Sequence, residues 1–459
     1  MRSPKGSVVR FALTGALALA VASPVALSSQ PVAAKKKKDA LELAMDVKSF
    51  TLDNGLRVFV LEDHSTPAFN ISLLYDVGSI DEVQGKTGLA HFFEHMMFQG
   101  SENLGDNMIA EYTERAGGNL NAGTSFDQTL YYHNIPSNYL DMVLWGEADR
   151  MTGLDMTQET FESQRAAVIS EKDRSENAPF AKAIQWEFIP DLMPESPYTH
   201  PPIGTEEDLE AMTLEDAQDF FNRYYTPNNC VISIVGDVEF EQVKQRVQHY
   251  FGGIPKGPER TPTSGIKKAE ERPRQKIEKK VTDDRAQQTA YLAGWRAVDD
   301  GHPDRPALDL LATILFTGES ARVPKILTDE KKLTVVAFGT NFVFRHDGAV
   351  FLQIIPKPDS SQDEIKKVIQ DEIAKVAKKG VSKKELEKAT NAQIMNTVST
   401  LASNQGRATS IAQGAAFYGE PKRVITDLDK YRDVTSKDIK RVAEQYLDEN
   451  WVWYELAPK

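Results

Sequence analysis

AHFFEHMMFQG, residues 90–100, is apolar on nearly every side of the helix that its pattern predicts over residues 87–98. Its exceptions are His91, Glu94 and His95, which share one face at about 100° per residue. A helix that is apolar all round is buried, and burying these three groups is costly unless they are paired or hold a metal. Two histidines one turn apart can bind one metal ion, and a carboxylate beside them can act as a general base. The alternative is a pair of core histidines satisfied by hydrogen bonds.

A similar helix pattern occurs 218 residues later, as LDLLATILFTG over residues 308–318. Both stretches are mostly apolar and end in Phe-x-Gly, and each follows a predicted strand, over residues 70–77 and 288–295. In this register the three polar residues of the first helix fall on Asp309, Ala312 and Thr313. The pattern favours a duplicated domain whose second copy lacks the polar cluster, although two amphipathic helices can also look alike by chance.

Composition and a linker-like stretch predict two domains. The 459 residues are 41% hydrophobic and 26% charged, which is a globular balance that excludes a disordered or polytopic membrane protein. Residues 254–274 are rich in Pro, Gly and charge and have no helical or strand period, which indicates a linker. We therefore predict an N-terminal domain over residues 35–253 and a homologous C-terminal domain without the polar cluster over residues 275–459. The single cysteine, Cys230, excludes an intrachain disulfide.

The first 34 residues are typical of a secretory signal peptide. Basic residues precede an uncharged run over residues 11–27, and the small residues Val32-Ala33-Ala34 would suit cleavage. An uncleaved membrane anchor is the alternative, but this run is at the short limit for spanning a bilayer. We expect a secreted or periplasmic chain with no stable membrane span after signal removal. The net charge of −13, which becomes −16 after that removal, makes a nucleic-acid partner a poor expectation.

A catalytic zinc needs three protein ligands and an open position, so a third ligand must come from elsewhere. The helix pattern over residues 158–175 has one face of apolar and small residues, and Glu171 lies at the end of that face. A carboxylate in this position points inward, which makes Glu171 the best third ligand. The competitors Glu162 and Glu176 fall off that face.

The order H-x-x-E-H is the inverse of the H-E-x-x-H motif. With the 75 residues between His95 and Glu171, it resembles the ligand spacing of the pitrilysin/insulinase family of inverzincin metallopeptidases. The likeness covers nearly the whole chain after the signal and fits the shorter bacterial branch, which resembles the subunits of the mitochondrial processing peptidase. Further stretches that agree with the family are Val77-Gly78-Ser79, Phe98-Gln99-Gly100-Ser101, residues 116–122 and residues 223–229.

The resemblance implies that His91, His95 and Glu171 bind one Zn²⁺ per chain. It also implies that Glu94 is the general base of an endopeptidase that hydrolyses peptides or unfolded segments with zinc-activated water. The implied fold is α+β, with two homologous domains, each an antiparallel sheet covered by helices, that face each other around a chamber.

In the family an edge strand near the zinc binds the substrate as an added strand, through backbone hydrogen bonds. The matching segment here is residues 121–125, so Asn121 and Ala122 are predicted to contact substrate. The alternative is that a turn and an ordinary strand occupy this place.

The chain departs from the family pattern at two places. Gln164 stands where some members carry a second glutamate, and glutamine can support a site but cannot transfer a proton. Members that act alone commonly supply an Arg and a Tyr from the C-terminal half; Arg322 matches the Arg element, but Val335 stands at the Tyr place. Arg322 can contact substrate or form a surface ion pair. A sister subunit that supplies an Arg/Tyr pair, a homodimer and a monomer all remain open.

Two other functions are weighed against the peptidase. One is a non-catalytic peptide-binding or assembly subunit of the same fold. The other is a secreted zinc-binding protein without peptidase activity. The three candidate ligands and the base are all present, which favours the zinc endopeptidase.

Overall fold

The computed structural model describes residues 45–198, 200–260 and 266–459. The predicted signal peptide, residues 1–34, lies outside these ranges. Within them, no helix has both the length and the apolar character that a bilayer span requires.

Two sheets organise the chain. The first has six strands in the order β1-β2-β6-β3-β5-β4, and the second has five in the order β7-β11-β8-β10-β9. We call the parts of the chain that carry them the first half and the second half. The strands are β1 (Lys48–Thr51), β2 (Arg57–Glu62), β3 (Ala68–Tyr75), β4 (Asn119–Thr124), β5 (Thr129–Pro136), β6 (Cys230–Gly236), β7 (Ile277–Asp283), β8 (Ala290–Arg296), β9 (Thr334–Val343), β10 (Gly348–Pro356) and β11 (Val452–Pro458).

Helices connect and cover these strands. Those of the first half are α1 (Leu89–Met96), α2 (Met108–Arg115), α3 (Leu140–Thr152), α4 (Gln158–Glu176), α5 (Ala181–Ala183), α6 (Ile189–Leu192), α7 (Glu206–Ala211), α8 (Leu214–Tyr224) and α9 (Phe240–Phe251). Those of the second half are α10 (Arg305–Leu315), α11 (Arg322–Pro324), α12 (Gln362–Lys379), α13 (Lys383–Leu401), α14 (Asn404–Tyr418), α15 (Arg423–Asp433) and α16 (Ser436–Tyr446).

The two sheets share one topology, which agrees with the predicted duplication. Strands β2-β6-β3-β5-β4 occupy the same order as β7-β11-β8-β10-β9, and β1 is an addition to the first sheet. Each sheet is antiparallel except for one pair, β2 with β6 or β7 with β11. These pairs are parallel because the last strand of each half returns through a long crossover to lie beside the first strand of the shared pattern. The Asn54-Gly55 pair within residues 50–62 predicts a hairpin. The structure has this hairpin, with Gly55 at a φ of 89° in its turn.

Each half covers one face of the other half's sheet. Helix α14 places Ile411 against Leu61 and Val235 of the first sheet. In return, the segment 180–193 places Phe188 against the second sheet, where its ring lies 5.2 Å from that of Tyr454. Since both faces of each sheet are covered, central strands such as β6 are buried along their whole length.

The predicted linker is fastened to both halves. Within its described part, residues 254–260 and 266–274, the only helical turn is at Ala269–Glu271. Arg272 from this stretch and Arg296 from β8 both donate to the carboxylate of Asp347, and all three side chains are almost fully buried. Arg260, also from this stretch, donates to Asp76 of the first half at 3.0 Å. The domain boundaries at residues 253 and 275 remain a prediction.

We expect Asp347→Ala to lower the free energy of unfolding by about 3–5 kcal/mol, because it leaves two buried guanidinium groups without their shared carboxylate. Urea denaturation followed by circular dichroism measures the change. Lys367→Ala is the control, since it breaks only the exposed pair with Asp371 and should cost about 0.5 kcal/mol or less. Equal unfolding midpoints for the two variants would contradict this account of the linker.

Candidate metal centre

The position of α1 is set by its apolar side. Phe92 lies edge-on to Phe161 of α4, with ring centroids 5.1 Å apart, and Phe93 lies 4.8 Å from Tyr225. Both phenylalanines are fully buried. Their packing fixes the rotation of the helix, so that the remaining polar face turns toward α4 and the edge of the first sheet.

Buried polar side chains bind both ends of α1. At the amino end the Glu82 carboxyl group accepts hydrogen bonds from the backbone N–H groups of Gly88 (2.9 Å) and Ala90 (2.8 Å), and burial raises its pKa well above the ordinary value. At the carboxyl end the Arg150 guanidinium donates to the carbonyl of Met97 at 2.9 Å. Both side chains bind terminal backbone groups that lack partners within the helix, and the Arg150 cation also complements the helix dipole. A helix of only two turns is thereby held in place without relying on its own length.

Three side chains converge between α1 and α4. Nε2 of His91 lies 3.8 Å from Oε1 of Glu171, and Nε2 of His95 lies 3.4 Å from Oε2. The ligand atoms of the three residues all lie within 4.8 Å of one another. Ligand atoms about 2.1 Å from a tetrahedral zinc would be about 3.4 Å apart. The distances of 3.8 Å and 3.4 Å from the two histidines to Glu171 therefore suit such an ion. Two imidazoles and one carboxylate are also a donor set of catalytic zinc sites.

The protonation of these groups suits metal binding. Burial and the neighbouring His95 lower the pKa of His91 to about 4, which leaves its ring neutral at neutral pH. The hydrogen bond with His95 lowers the pKa of Glu171, so this carboxylate is ionised. Metals bind neutral imidazole and ionised carboxylate, so neither residue has to lose a proton at neutral pH.

Glu94 occupies the same face of α1 and contacts the sheet. The Thr124 hydroxyl, on the last residue of β4, donates to Oε2 of Glu94 at 2.6 Å. Burial raises the pKa of Glu94 and outweighs this hydrogen bond, which lowers it. One carboxylate oxygen is therefore oriented by the sheet, while a raised pKa favours a group that accepts a proton and returns it.

Strand β4 forms the edge of the first sheet and runs beside this site. It pairs with β5 on one side, and no described strand pairs with its other side. Asn121 and Ala122 lie in its middle, with Asn121 half-buried and Ala122 buried. An unpaired edge of this kind can accept an extended peptide as an added strand.

The rival carboxylates of α4 lie in other surroundings. Glu162 is half-exposed and pairs with Arg165. Glu176 is buried and pairs with Lys172. Glu171 is thus the α4 carboxylate that the structure brings to the two histidines, as the face of the predicted helix indicated.

The remaining predicted residues lie outside the cluster of His91, His95 and Glu171. Gln164 lies two turns before Glu171 on α4 and is half-buried. Arg322 donates to Glu385 at 2.7 Å and lies 3.7 Å from Glu372, so its guanidinium is already engaged by carboxylates of its own half. Val335 lies on the edge strand β9 and is 54% exposed.

The second half replaces the metal cluster by a hydrogen-bonded network. Asp309 of α10, at the place of His91, accepts hydrogen bonds from the Tyr431 hydroxyl at 2.6 Å and from the Asn341 amide at 2.8 Å. Thr313, at the place of His95, donates to the backbone carbonyl of Asp309. The Asp309 carboxylate and the Thr313 hydroxyl thus each have a hydrogen-bond partner, as polar groups buried on a helix without a metal require.

Sequence reasoning missed the residues that orient the site. Thr124 falls inside the predicted substrate segment, but nothing in the sequence joins it to Glu94, which lies 30 residues earlier. Glu82 has a weak signal, since it is an acidic residue shortly before a predicted helix. Arg150 has none, because it reaches the end of α1 from another helix.

Two family models match the chain. Residues 57–193 match the family model described as Insulinase (Peptidase family M16), and residues 211–393 match the model of the Peptidase M16 inactive domain. The zinc protease PqqE of Helicobacter pylori is 30% identical over 407 residues, which cover 87% of this chain and 90% of that protein.

Solved structures show the same architecture. The crystal structure of a protease from Helicobacter pylori superposes with a TM-score of 0.82 at 28% identity and covers 90% of this chain and all of that one. The periplasmic protease PqqL from Escherichia coli gives a TM-score of 0.74 at 18% identity and covers 90% of this chain and 48% of that one, a likeness of fold alone. The helix with two histidines, the distal glutamate and the duplicated sheet thus occur in a chain that belongs to peptidase family M16, the insulinase family of zinc proteases.

Proposed function

We propose that this protein is a zinc-dependent endopeptidase of peptides or unfolded segments, in which His91, His95 and Glu171 hold one zinc ion. The observation that carries the proposal is the convergence of these three side chains to within 4.8 Å, with Glu94 on the same helix face. An unpaired sheet edge beside them would bind an extended peptide.

Bound zinc supplies Lewis acidity, which polarises a carbonyl and makes water a stronger acid. The protein's own residues then handle the peptide and the protons. Strand β4 would align the substrate backbone, with Asn121 and Ala122 as its contacts. Glu94 would take a proton from the attacking water and deliver it to the leaving nitrogen.

Thr124 supports this role of Glu94. Its hydroxyl donates to Oε2 at 2.6 Å and so orients the carboxylate. Because Thr124 also belongs to the edge strand, one strand would position both Glu94 and the bound peptide. Gln164, two turns before Glu171, would support the site only by hydrogen bonding.

We propose a secreted or periplasmic location for the mature chain. Residues 1–34 have the order of basic, apolar and small residues that signal peptides have. The Escherichia coli protein of similar fold is also described as periplasmic.

We further propose that full activity needs a second subunit, either a sister chain that supplies an Arg/Tyr pair or a second copy of this chain. Val335 stands at the Tyr place, and Arg322 is engaged by Glu385 at 2.7 Å. A homodimer predicts specific activity that rises with chain concentration. A sister subunit predicts a zinc-loaded chain that cleaves no peptide at any concentration.

Removal of one ligand should weaken zinc binding. We expect Glu171→Gln or His91→Asn to lower zinc affinity by more than about 100-fold, since loss of even an indirect supporting group can cost that much. Competition with a chromophoric chelator measures the affinity. Glu162→Gln is the matched control on the same helix and should bind zinc as the unchanged chain does. Full zinc affinity in the Glu171 and His91 variants would refute the assignment of ligands.

Loss of the base should separate chemistry from metal binding. We expect Glu94→Gln to keep its zinc and to lower kcat on a quenched fluorescent peptide library by about 10²–10⁴-fold, because glutamine accepts the Thr124 hydrogen bond but no proton. Chelation should abolish cleavage by the unchanged chain, and added zinc should restore it. Equal rates for the variant and the unchanged chain would favour another base. If both proteins bind zinc and neither cleaves any peptide, the non-catalytic or partner-dependent alternatives are favoured.

A further inference from the structure

We propose that the second half of the chain positions the substrate-binding edge strand β4, by gripping the hairpin tip that follows it. This inference rests on the proposed function. We call residues 125–128, between β4 and β5, the first tip, and residues 344–347, between β9 and β10, the second tip. The two tips occupy corresponding places in the duplicated sheets and contact each other.

Hydrogen bonds join the tips through the partly buried carboxylate of Asp127. Oδ1 of Asp127 accepts from the Tyr198 hydroxyl at 2.8 Å, and Oδ2 accepts from the backbone N–H of Arg345 at 3.3 Å. The same Tyr198 oxygen accepts from the backbone N–H of His346 at 3.0 Å. The first tip therefore meets the backbone of the second tip both directly and through one tyrosine.

Three aromatic rings close the same contact. Phe344 of the second tip lies edge-on to Phe126 of the first tip, with centroids 5.3 Å apart, and 4.9 Å from Tyr198. Phe126 and Tyr198 are themselves 5.1 Å apart. Each ring contacts the other two, and Phe344 is the member that the second half contributes. Aromatic pairs in such geometry add stability beyond the area that they bury.

Further contacts hold the neighbourhood of the first tip. The Arg345 side chain donates to Asp76 at 2.9 Å, next to the end of β3, and its guanidinium lies over the ring of Phe417. From α14, the Gln413 amide donates to Gln128 at 3.3 Å. The second half thus reaches the first tip from two elements, the second tip and α14.

These contacts with the first tip can stabilise β4, because this strand pairs with a described strand on one side only. An edge strand with a single partner frays more readily than a central strand. Its last residue, Thr124, is bonded to Glu94 and is followed directly by the first tip. Fixing the tip therefore fixes the end of the strand that lies beside the candidate base.

The functional consequence concerns peptide binding rather than the metal. If β4 is in the binding-competent arrangement for only a fraction of the time, the apparent dissociation constant for a peptide rises by the inverse of that fraction. The zinc ligands lie on α1 and α4, which none of these tip contacts involve. Phe344 is accordingly a positioning residue for substrate, in the half that lacks the H-x-x-E-H motif.

The test uses the full chain and two matched variants. Phe344→Ala removes the contribution of the second half to the aromatic cluster. Phe50→Ala is the control, since it removes an edge-on pair with Phe240, at 5.8 Å, on β1 at the opposite edge of the same sheet. Each is combined with Glu94→Gln, so that binding of a fluorescein-labelled 20-residue β-casein peptide can be followed by anisotropy without cleavage. Zinc affinity is measured on the same samples.

We expect Phe344→Ala to weaken peptide binding about five- to tenfold, as loss of one or two aromatic contacts would. Phe50→Ala should change it less than twofold, and zinc affinity should stay within twofold in both variants. With Glu94 intact, Phe344→Ala should raise KM by the same factor and leave kcat within about twofold. Phe344→Leu keeps much of the apolar volume and should recover part of the peptide affinity. This variant replaces Phe344→Ala in the test if the alanine variant does not fold.

Three results would overturn the inference. They are equal peptide affinities for the Phe344 and Phe50 variants, loss of zinc on Phe344→Ala, or a fall in kcat with unchanged KM. Failure of the proposed function is a separate result, since it would appear as weak zinc binding or as no peptide binding by the chain with Phe344 intact.

Discussion

The arrangement of α1 governs the rest of the first half, because a two-turn helix has to carry three polar groups into an apolar layer. Its apolar side is buried against α4 and α8, which leaves one face for His91, Glu94 and His95. Glu82 and Arg150 bind backbone groups at its two ends. Strand β4 and helix α4 then supply the partners of this face, Thr124 and Glu171. Glu94 and His95 therefore have polar neighbours that offset the cost of burying them, whereas Nδ1 of His91 is buried without a hydrogen-bond partner in the described part of the chain.

The duplicated topology shows how one architecture serves two purposes. In both halves an apolar helix lies beside the edge strand of a sheet. The first half places imidazole and carboxylate groups that could hold a metal there, whereas the second half places Asp309 among hydrogen-bond donors. Exchange of α14 and the segment 180–193 covers the remaining face of each sheet. The second half is consequently part of the core of the first, and its loss would expose the apolar face of the first sheet.

Local patterns in the sequence predicted the elements that carry the candidate site. The period of α1 identified its buried face, and Glu171 was selected because a carboxylate at the end of an apolar face points inward. The buried side of α4 itself differs from the predicted face, since Phe161, Val168, Lys172 and Glu176 are its buried residues. The turn at Gly55 was predicted because Asn-Gly favours a positive φ. Substrate contacts at Asn121 and Ala122, and roles for Gln164 and Arg322, rested on family resemblance. Arg322 lies beside two glutamates of its own half, which agrees with the ion pair that was its alternative, and a substrate contact there stays a prediction.

The sequence by itself determined the helix that carries H-x-x-E-H, the choice of Glu171 as third candidate ligand, and the repetition of one pattern along the chain. It could do so because helical and strand periods are local, and each is written in consecutive residues. Only the tertiary structure decided that Thr124 meets Glu94, that Arg150 reaches the end of α1 and that the two hairpin tips join. These contacts connect side chains or tips on different elements, so they depend on strand register and on how the helices pack. Such register and packing arise from the whole core, and no short stretch of the chain specifies them.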